Sequence, residues 1–212
     1  MINRLQKTYK VLFDAFGPQH WWPGETPFEV AVGAILTQNT NWRNVEKAIL
    51  NLKKAGKLDP DALHKISHEK LALLIKPAGY FNIKSKRLKN FISFFMEEYG
   101  GSISKMRKED ALKIREKLLS VNGIGPETAD SIILYALEKP VFVIDAYTKR
   151  VLSRHNIIGH NSSYDEYQKV FHSKLKKDVR LFNEYHALFV KLAKENCRTK
   201  PVCAGCPLER IQ

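Results

Sequence analysis

Cysteine is scarce in this sequence: the 212 residues include only three, and all of them lie between Cys197 and Cys206. That grouping argues against a disulfide framework and favours a local site in a reducing compartment, so we expect a cytoplasmic protein. Long apolar runs are also lacking, since no stretch reaches the length that spans a membrane. The opening residues, Met1 to Arg4, do not lead into the apolar core of a signal peptide.

Acidic residues are outnumbered by basic ones. The chain has 22 Asp and Glu against 35 Lys and Arg, which gives a net charge of +13. A surplus of this size suggests a polyanionic partner, and nucleic acid is the commonest one. The charge alone is equally compatible with a protein that is merely basic. The length allows a substantial core in one or two compact domains.

Strand patterns are almost absent. The β-branched run at 141–144 is too short and isolated to pair, and there is no internal repeat or low-complexity segment. Apolar residues recur instead at helical spacing, which predicts an all-α fold in two lobes. The predicted helices cover 3–16, 28–36, 41–52, 60–66, 68–75, a long segment ending at 98, 109–119, 145–154, 163–175 and 180–195.

The most informative stretch runs from Leu118 to Arg154. A helix ends there at the hairpin Gly123-Ile124-Gly125, and a second helix begins at Pro126, where a missing N–H costs nothing. The free N–H groups at the start of the second helix can bind an anion such as a phosphate. About twenty residues later, an apolar run brings Asp145 to the head of a third helix. A tight helical hairpin with a capping aspartate would also give this pattern.

The order V-x-G-I-G-x-x-T-A followed by V-I-D-x-x-x-x-R resembles the helix-hairpin-helix and aspartate motif of the endonuclease III superfamily of DNA glycosylases. The resemblance implies a monomeric base-excision-repair enzyme that binds double-stranded DNA in a cleft between two helical lobes. One lobe would comprise 25–130, a helical barrel ending in the helix-hairpin-helix at about 114–135. The other would comprise 1–24 and 131–212, with a cysteine loop at 197–212. Asp145 would lie at the floor of the cleft.

Further positions match those that contact DNA in that family. A glutamine at the position of Gln38, in a polar turn after a buried helix, fills the hole left in the duplex. The side chain at the position of Tyr80, after a glycine, wedges into the opposite strand. Lys84 and Lys86 lie where phosphates would pass. A glycine C-cap followed by a solvated basic helix face would explain the two lysines equally well.

The resemblance also assigns the chemistry. Removing a base builds positive charge on the sugar, in a transition state that resembles an oxocarbenium ion. A fixed carboxylate beside the sugar stabilises that charge and can activate water. Asp145 is the candidate, whereas Asp130 and Glu138 are predicted on helix surfaces. Family members with lyase activity carry a lysine where this chain has Glu127, and a carboxylate cannot form an imine. We therefore expect a monofunctional glycosylase with no or weak lyase activity.

Among the monofunctional branches, the sequence most resembles the endonuclease III-type 3-methyladenine DNA glycosylases. Aromatic rings at the positions of Trp21, Trp22 and Trp42 enclose the extruded base in that group, and we assign Glu127 to the same pocket. A cationic methylated purine gains about 0.5–2 kcal/mol by stacking on an indole. The adjacent tryptophans could instead form a hydrophobic plug, and the helix dipole alone could favour Glu127. The alternatives are a glycosylase for mismatched or oxidised bases and a non-catalytic DNA-binding protein.

The three cysteines resemble an incomplete metal site. The spacing Cys197-x5-Cys203-x2-Cys206 is similar to the [4Fe–4S] loop of the superfamily, whose fourth cysteine would fall at Gln212. The site is then either degenerate or holds a cluster whose fourth iron has a non-cysteine ligand, such as the terminal carboxylate. Three cysteines plus one other ligand would also suit zinc.

Overall fold

The structure, a computed structural model, describes residues 3–21, 24–209 and 211. The interpretations of Trp22 as a pocket residue and of Gln212 as the fourth position of the metal site lie outside the described residues. The described part of the chain contains no β-strand, and the predicted all-α fold is confirmed. None of the described helices is long and apolar enough to cross a membrane.

Helices follow one another with short connections. One helix, α7, was not predicted, because it has only six residues and follows two glycines. A 3-10 helix, Lys76–Ala78, precedes α6, and a π-helical segment, Ile132–Ala136, continues α9. The α-helices of the described residues are α1 Arg4–Phe16, α2 Pro27–Leu36, α3 Trp42–Lys54, α4 Pro60–Lys65, α5 His68–Leu74, α6 Phe81–Tyr99, α7 Ile103–Lys108, α8 Ala111–Ser120, α9 Pro126–Ser131, α10 Ala146–Arg154, α11 Tyr164–Lys174 and α12 Val179–Glu195.

Polar side chains fix most helix starts. The Thr26 hydroxyl accepts the backbone N–H of Glu29 at 3.1 Å, and α2 begins at the next residue, a proline. Ser163 and Glu166 form a capping box at the start of α11, in which each side chain accepts the other residue's backbone N–H. Because caps of this kind are visible in the sequence, these helices begin within one residue of the predicted positions.

The chain forms two compact units, with boundaries after Trp21 and after Lys139. One unit, here called the hairpin unit, contains α2 to α9 and the π-helical segment. Its centre is α2, which is almost wholly buried and contacts α6 and the π-helical segment. The rings of Phe28 and Phe91 stack on Phe95 at 5.8 and 5.7 Å between centroids.

The second unit, here called the aspartate unit, contains α1 and α10 to α12. Helix α12 contacts both α1 and α10 and supplies more buried residues than any other described helix of this unit. The ring of Phe142 stacks on Phe171 at 3.6 Å, and Tyr185 stacks on Phe189 at 4.5 Å. The hydroxyl of Tyr185 donates to the carbonyl of Leu5 at 2.9 Å, which joins the first and last helices of this unit.

The apolar run at 141–144 is buried but does not pair as a strand. Side chains of α11 replace the missing partner strand for its backbone. The Phe142 N–H donates to His172 Nε2 at 2.9 Å, and the Phe142 carbonyl accepts from Gln168 Nε2 at 2.8 Å. These bonds hold the segment that ends at Asp145, so the position of that carboxylate depends on α11 as well as on α10.

The helix-hairpin-helix contains a buried ion pair that we did not predict. Arg115 Nε on α8 lies 2.8 Å from Asp130 Oδ1 on α9, and the Asp130 side chain is fully buried. The prediction that Asp130 lies on a helix surface is therefore wrong. A carboxylate can be buried where a facing helix supplies an arginine. Glu138, by contrast, is largely exposed and lies 3.3 Å from Arg107.

Candidate functional site

Asp145 occupies the N-cap position of α10 in the aspartate unit. Its Oδ1 accepts the backbone N–H of Thr148 at 2.7 Å, which satisfies one of the free amides of the helix start. Its Oδ2 lies 3.4 Å from Nε2 of His186 on α12. The carboxylate side chain is 13% exposed, so it is shielded from water yet reachable from outside.

The surroundings of Asp145 keep it ionised. Burial alone would raise the pKa of this carboxyl, because desolvation disfavours the charged form. The electrostatic pull and hydrogen bond of His186, together with the hydrogen bonds from Thr148, outweigh burial and hold the pKa of Asp145 below its ordinary value. The site therefore presents a shielded negative charge at neutral pH.

Trp21 lies beside this pair. Its indole ring packs edge-on against the His186 ring, with 6.1 Å between centroids and an interplanar angle of 71°. The aspartate unit thus brings together two of the predicted residues, Trp21 and Asp145, through a third that sequence reasoning missed. The available signal for His186 was a lone histidine within the apolar stretch of α12, but a spacing of 41 residues from Asp145 gives no sign of contact.

In the hairpin unit, Gln38 is held by three partners. Its Nε2 donates to the carbonyl of Gly123 and to Thr128 Oγ1, both at 3.0 Å, and its Oε1 accepts from Arg87 Nη1 at 2.5 Å. The polar turn of Gln38 and the glycine hairpin therefore form one hydrogen-bonded cluster. Its role in filling a duplex remains a prediction, and entering DNA would require these three bonds to break.

The two hairpin glycines differ in what they permit. Gly123 has a φ of +96°, and a Cβ there would lie 2.3 Å from Cγ of Arg87, so no other residue fits. A Cβ at Gly125 would meet nothing within 4 Å, which leaves open space at the start of α9. That space is compatible with the predicted phosphate contact.

Tyr80 is presented on a strained turn. The backbone of Tyr80 is left-handed at φ +45°, which is uncommon for an aromatic residue, and it follows Gly79 at φ +68°. The Tyr80 side chain is 68% exposed, and Ile83, one turn further on α6, is 54% exposed. An apolar tip of this kind matches the predicted wedge, whose role stays a prediction.

The two lysines assigned to phosphates lie in opposite environments. Lys86 is exposed on α6, where it can reach a phosphate. Lys84 is 1% exposed, and its Nζ donates to the carbonyls of Leu36 and Ala78 at 2.7 and 2.8 Å. Its ammonium therefore does not face solvent, and the geometry speaks against the predicted phosphate role of Lys84. Burial, with a smaller effect of Arg87, lowers the pKa of Lys84 to about 8.

The remaining pocket residues of the hairpin unit are near α2 and the hairpin. Trp42 is half-buried, donates to Glu46 Oε1 at 2.8 Å and places its ring 3.4 Å from where a Cβ would lie at Gly33. Glu127 is exposed in the first turn of α9. Neither position tests the predicted pocket, which stays a prediction for both residues.

The cysteine loop is tied to α10 by arginines. Arg150 Nε donates to the carbonyl of Cys197 at 2.7 Å, and Arg154 Nη1 lies 3.4 Å from Cys197 Sγ. Cys197 is buried, Cys206 is half-buried and Cys203 is exposed. Among the described residues, no three His, Cys, Asp or Glu side chains lie close enough together to hold a metal ion. As they lie here, the three cysteines do not fit a [4Fe–4S] cluster or a zinc ion.

Burial raises the pKa of the Cys206 thiol, and the neighbouring Cys197, Cys203 and Glu209 add to this, against a backbone hydrogen bond from Leu208.

Comparison with known proteins identifies the family. Residues 32–177, more than half of the chain, match the HhH-GPD superfamily of base excision DNA repair proteins. The chain belongs to this superfamily. A protein of Methanocaldococcus jannaschii that carries the provisional name of a DNA repair glycosylase is 49% identical over 211 residues, 99% of this chain and 96% of that protein. Endonuclease III of Thermotoga maritima is 28% identical over 184 residues, 86% of this chain and 81% of that protein.

Solved structures share the fold. The H. pylori 3-methyladenine DNA glycosylase bound to 1,N6-ethenoadenine aligns with a TM-score of 0.79 at 28% identity, covering 91% of this chain and 98% of that one. A trapped endonuclease III–DNA covalent intermediate aligns with a TM-score of 0.83 at 20% identity, covering 100% and 96%. At that identity the second likeness supports the fold alone.

Membership of the HhH-GPD superfamily confirms the resemblance and makes this chain a base excision DNA repair protein of a DNA glycosylase family. The matched range contains the glycine hairpin, the Gln38 turn and Asp145. His186 and the cysteine loop lie beyond the end of the matched range.

Proposed function

We propose that this protein is a monofunctional DNA glycosylase that extrudes an alkylated, 3-methyladenine-like purine from duplex DNA and hydrolyses its N-glycosidic bond. The observation that carries the proposal is the carboxylate of Asp145, which is shielded, held ionised by His186 and Thr148, and flanked by Trp21 through His186. A shielded carboxylate of this kind suits a reaction in which positive charge develops on a sugar.

Asp145 would act in two ways. As the base departs, the sugar gains oxocarbenium character, and a fixed negative charge next to it lowers the barrier. The same carboxylate can accept a proton from the water that attacks C1′. A methylated purine that already carries positive charge leaves as a neutral base, so the reaction does not require a general acid.

The choice of base rests on the aromatic residues. Trp21 and Trp42 are half-buried, so part of each ring is accessible to a ligand. A cationic purine stacked on an indole gains about 0.5–2 kcal/mol, which a neutral base does not. Trp22, outside the described residues, belongs to the same proposal. The 28% identical H. pylori glycosylase, a 3-methyladenine enzyme by name and solved with an ethenoadenine, supports a purine substrate.

The absence of lyase chemistry rests on Glu127. A lyase step needs an amine that attacks C1′ and forms an imine. The exposed first-turn position of α9 carries a carboxylate in this chain, and a carboxylate cannot form that bond. We therefore infer that the abasic strand stays intact after excision.

Duplex contacts would come from the hairpin unit. The open space at Gly125 suits a phosphate, Lys86 presents a solvent-facing charge, and Tyr80 presents an exposed ring. Gln38 would fill the space of the extruded base after leaving its bonds to the hairpin. We further propose that the protein acts as a monomer in the cytoplasm.

The test uses one set of matched duplexes. Each carries a single 3-methyladenine, 7-methylguanine, hypoxanthine, uracil, thymine opposite guanine or 8-oxoguanine, and abasic sites are scored as strand breaks after alkali. We expect the strand to break only in the duplexes that carry an alkylated purine, and only after alkali is added. No covalent protein–DNA adduct should form when borohydride is present. Excision confined to thymine or 8-oxoguanine would contradict the proposed substrate. A trapped adduct would contradict the proposed absence of lyase chemistry. No excision of any base would indicate a non-catalytic DNA-binding protein.

A further inference from the structure

Lys84 is a charged side chain in a place where charge is costly. It lies in the first turn of α6, is 1% exposed, and directs its Nζ at two neutral backbone carbonyls. Its pKa is lowered to about 8 by burial and then by Arg87. An apolar residue of the same length would avoid this desolvation, so the lysine is not explained by packing alone.

The two carbonyls belong to different turns. Leu36 is the last residue of α2, two residues before Gln38, and Ala78 is the last residue of the 3-10 helix, two residues before Tyr80. One ammonium therefore joins the two turns that carry the side chains predicted to enter the duplex. Arg87, one helical turn further along α6, donates to Gln38 Oε1; Gln38 would leave that bond on entering the duplex, whereas the two bonds of Lys84 go to backbone and can persist.

We propose that Lys84 is a positioning residue that ties the Gln38 turn to the Tyr80 turn, so that both side chains reach the DNA duplex in a fixed register. The inference rests on the proposed function, because it assumes that these two turns enter the duplex when a base is extruded. It replaces the phosphate contact first assigned to Lys84 with a role inside the protein. The ammonium spans the turns at distances of 2.7 and 2.8 Å, which a neutral apolar side chain cannot reproduce.

Lys89 on the same helix provides a matched control. Its Nζ donates to three backbone carbonyls, of Leu63, His64 and Ile66, at 3.2, 2.6 and 3.0 Å. Burial lowers its pKa as well. Leu63 and His64 lie at the end of α4 and Ile66 follows that helix, so none of the three carbonyls belongs to the turn of Gln38 or of Tyr80. Lys89→Met thus removes a comparable lysine–carbonyl cluster without touching the two turns.

The experiment measures single-turnover excision of 3-methyladenine by wild type, Lys84→Met and Lys89→Met. Each protein is given two duplexes, one with the lesion opposite thymine and one with it opposite an abasic analogue, where the base is easier to unstack. We expect Lys84→Met to be slowed by about tenfold or more on the paired duplex, because a displacement of about 1 Å can cost about 10²-fold. On the second duplex its defect should shrink to about twofold, since extrusion is then less demanding. Lys89→Met should match wild type on both.

A fluorescent base gives a second readout. In wild type, 2-aminopurine placed next to the lesion should brighten as the base leaves the stack, and Lys84→Met should slow that rise while Lys89→Met does not.

If Lys84→Met does not fold, as judged by its melting curve, Lys84→Gln replaces it. Its amide keeps two donors but reaches one atom less far, so an intermediate defect on the paired duplex is expected.

Two outcomes separate this inference from the proposed function. A wild-type protein that excises no base from either duplex would overturn the proposed function. A wild type that is active, with Lys84→Met or Lys84→Gln slowed equally on both duplexes or not slowed at all, would overturn the positioning role alone. A Lys89→Met defect of the same size and the same duplex dependence would also count against it.

Discussion

The carboxylate of Asp145 is useful to the proposed reaction only while it is charged, and its surroundings protect that charge. Asp145→Asn keeps the size and the cap acceptor for Thr148 but removes the charge. Loss of one preorganised electrostatic contact typically costs about 2.7–4 kcal/mol, or about 10²–10³ in rate. We therefore expect single-turnover excision to fall by at least that factor. Binding to an abasic-site duplex should stay the same or tighten, because a negative charge near phosphates is gone. Full activity in the variant would remove Asp145 from the mechanism.

His186 sets the pH range over which that charge persists. Because the pKa of Asp145 lies below its ordinary value, its contribution to stability is present above the unfolded-state pKa and is lost as the pH falls through the folded-state pKa. In His186→Gln the burial that raises the pKa is no longer opposed by the histidine. We expect the acidic limb of the excision rate to move to higher pH, and the variant to lose stability in acid sooner than wild type.

The control for this prediction is His160→Gln, which removes an exposed histidine of the same unit. Its acidic limb should coincide with that of wild type. A His186→Gln protein with a reduced rate but an unmoved acidic limb would mean that His186 supports packing around Trp21 rather than the ionisation of Asp145.

At the scale of elements, the cysteine loop is the clearest departure from what the spacing implies. Arg150 and Arg154 contact the backbone and the sulfur of Cys197, so protein side chains hold the start of the loop. Because the thiols differ in burial, we expect a disulfide exchange reagent to modify Cys203 first, Cys206 next and Cys197 last. Mass spectrometry of time points gives the order.

Elemental analysis of the same preparation completes the test. We expect the iron and zinc contents to be well below one atom per chain. We also expect all three cysteine thiols to react with the reagent once the chain is unfolded. A yellow-brown protein with several irons per chain and three protected thiols would restore the cluster interpretation. It would also mean that the loop around Cys206 rearranges when metal binds.

The apolar run at 141–144, just before Asp145, shows why the helices could be predicted better than the contacts of the candidate site. Caps such as Thr26 and Ser163 are local signals, so the helix starts follow from the sequence. The bonds that hold Phe142 come from α11, more than twenty residues further along the chain, and no periodicity predicts them. Residues 141–144 are therefore held in place by side chains of α11, although they are not paired as a strand.

At the scale of the whole molecule, the family was identified correctly from the motif, but the surroundings of the motif residues depend on packing that the sequence does not encode locally. The family motif led to Asp145, yet His186, whose Nε2 lies 3.4 Å from the Asp145 carboxylate, is distant in the chain. The lysine of the Tyr80 loop matched the motif, yet its charge is turned inward. Sequence patterns give the type and spacing of side chains, whereas which way a side chain faces is settled by neighbours from other elements.

The net charge of +13 should make DNA binding strongly dependent on salt. Each neutralised phosphate contributes about 0.9 to the slope of log K against log salt concentration. Lys86 is exposed on α6 and Lys84 is buried on the same helix. Replacing each in turn therefore distinguishes the effect of an exposed charge on DNA binding from the effect of the net charge. We expect Lys86→Gln to reduce the slope for an undamaged duplex by about one. Lys84→Met should leave the slope unchanged even where its affinity is lower, because a buried ammonium releases no counterion from DNA.

Fluorescence anisotropy over a salt series gives both slopes from the same labelled duplex. The comparison is made at pH 7, below the pKa of about 8 for Lys84, so that Lys84 carries its charge in wild type. A Lys84→Met slope reduced as much as that of Lys86→Gln would mean that α6 opens on binding and exposes Lys84 to a phosphate, as the motif first indicated. Unchanged slopes in both variants would indicate that neither lysine contacts a phosphate. The phosphate contacts would then be made by the uncharged backbone amides at the helix start beside Gly125.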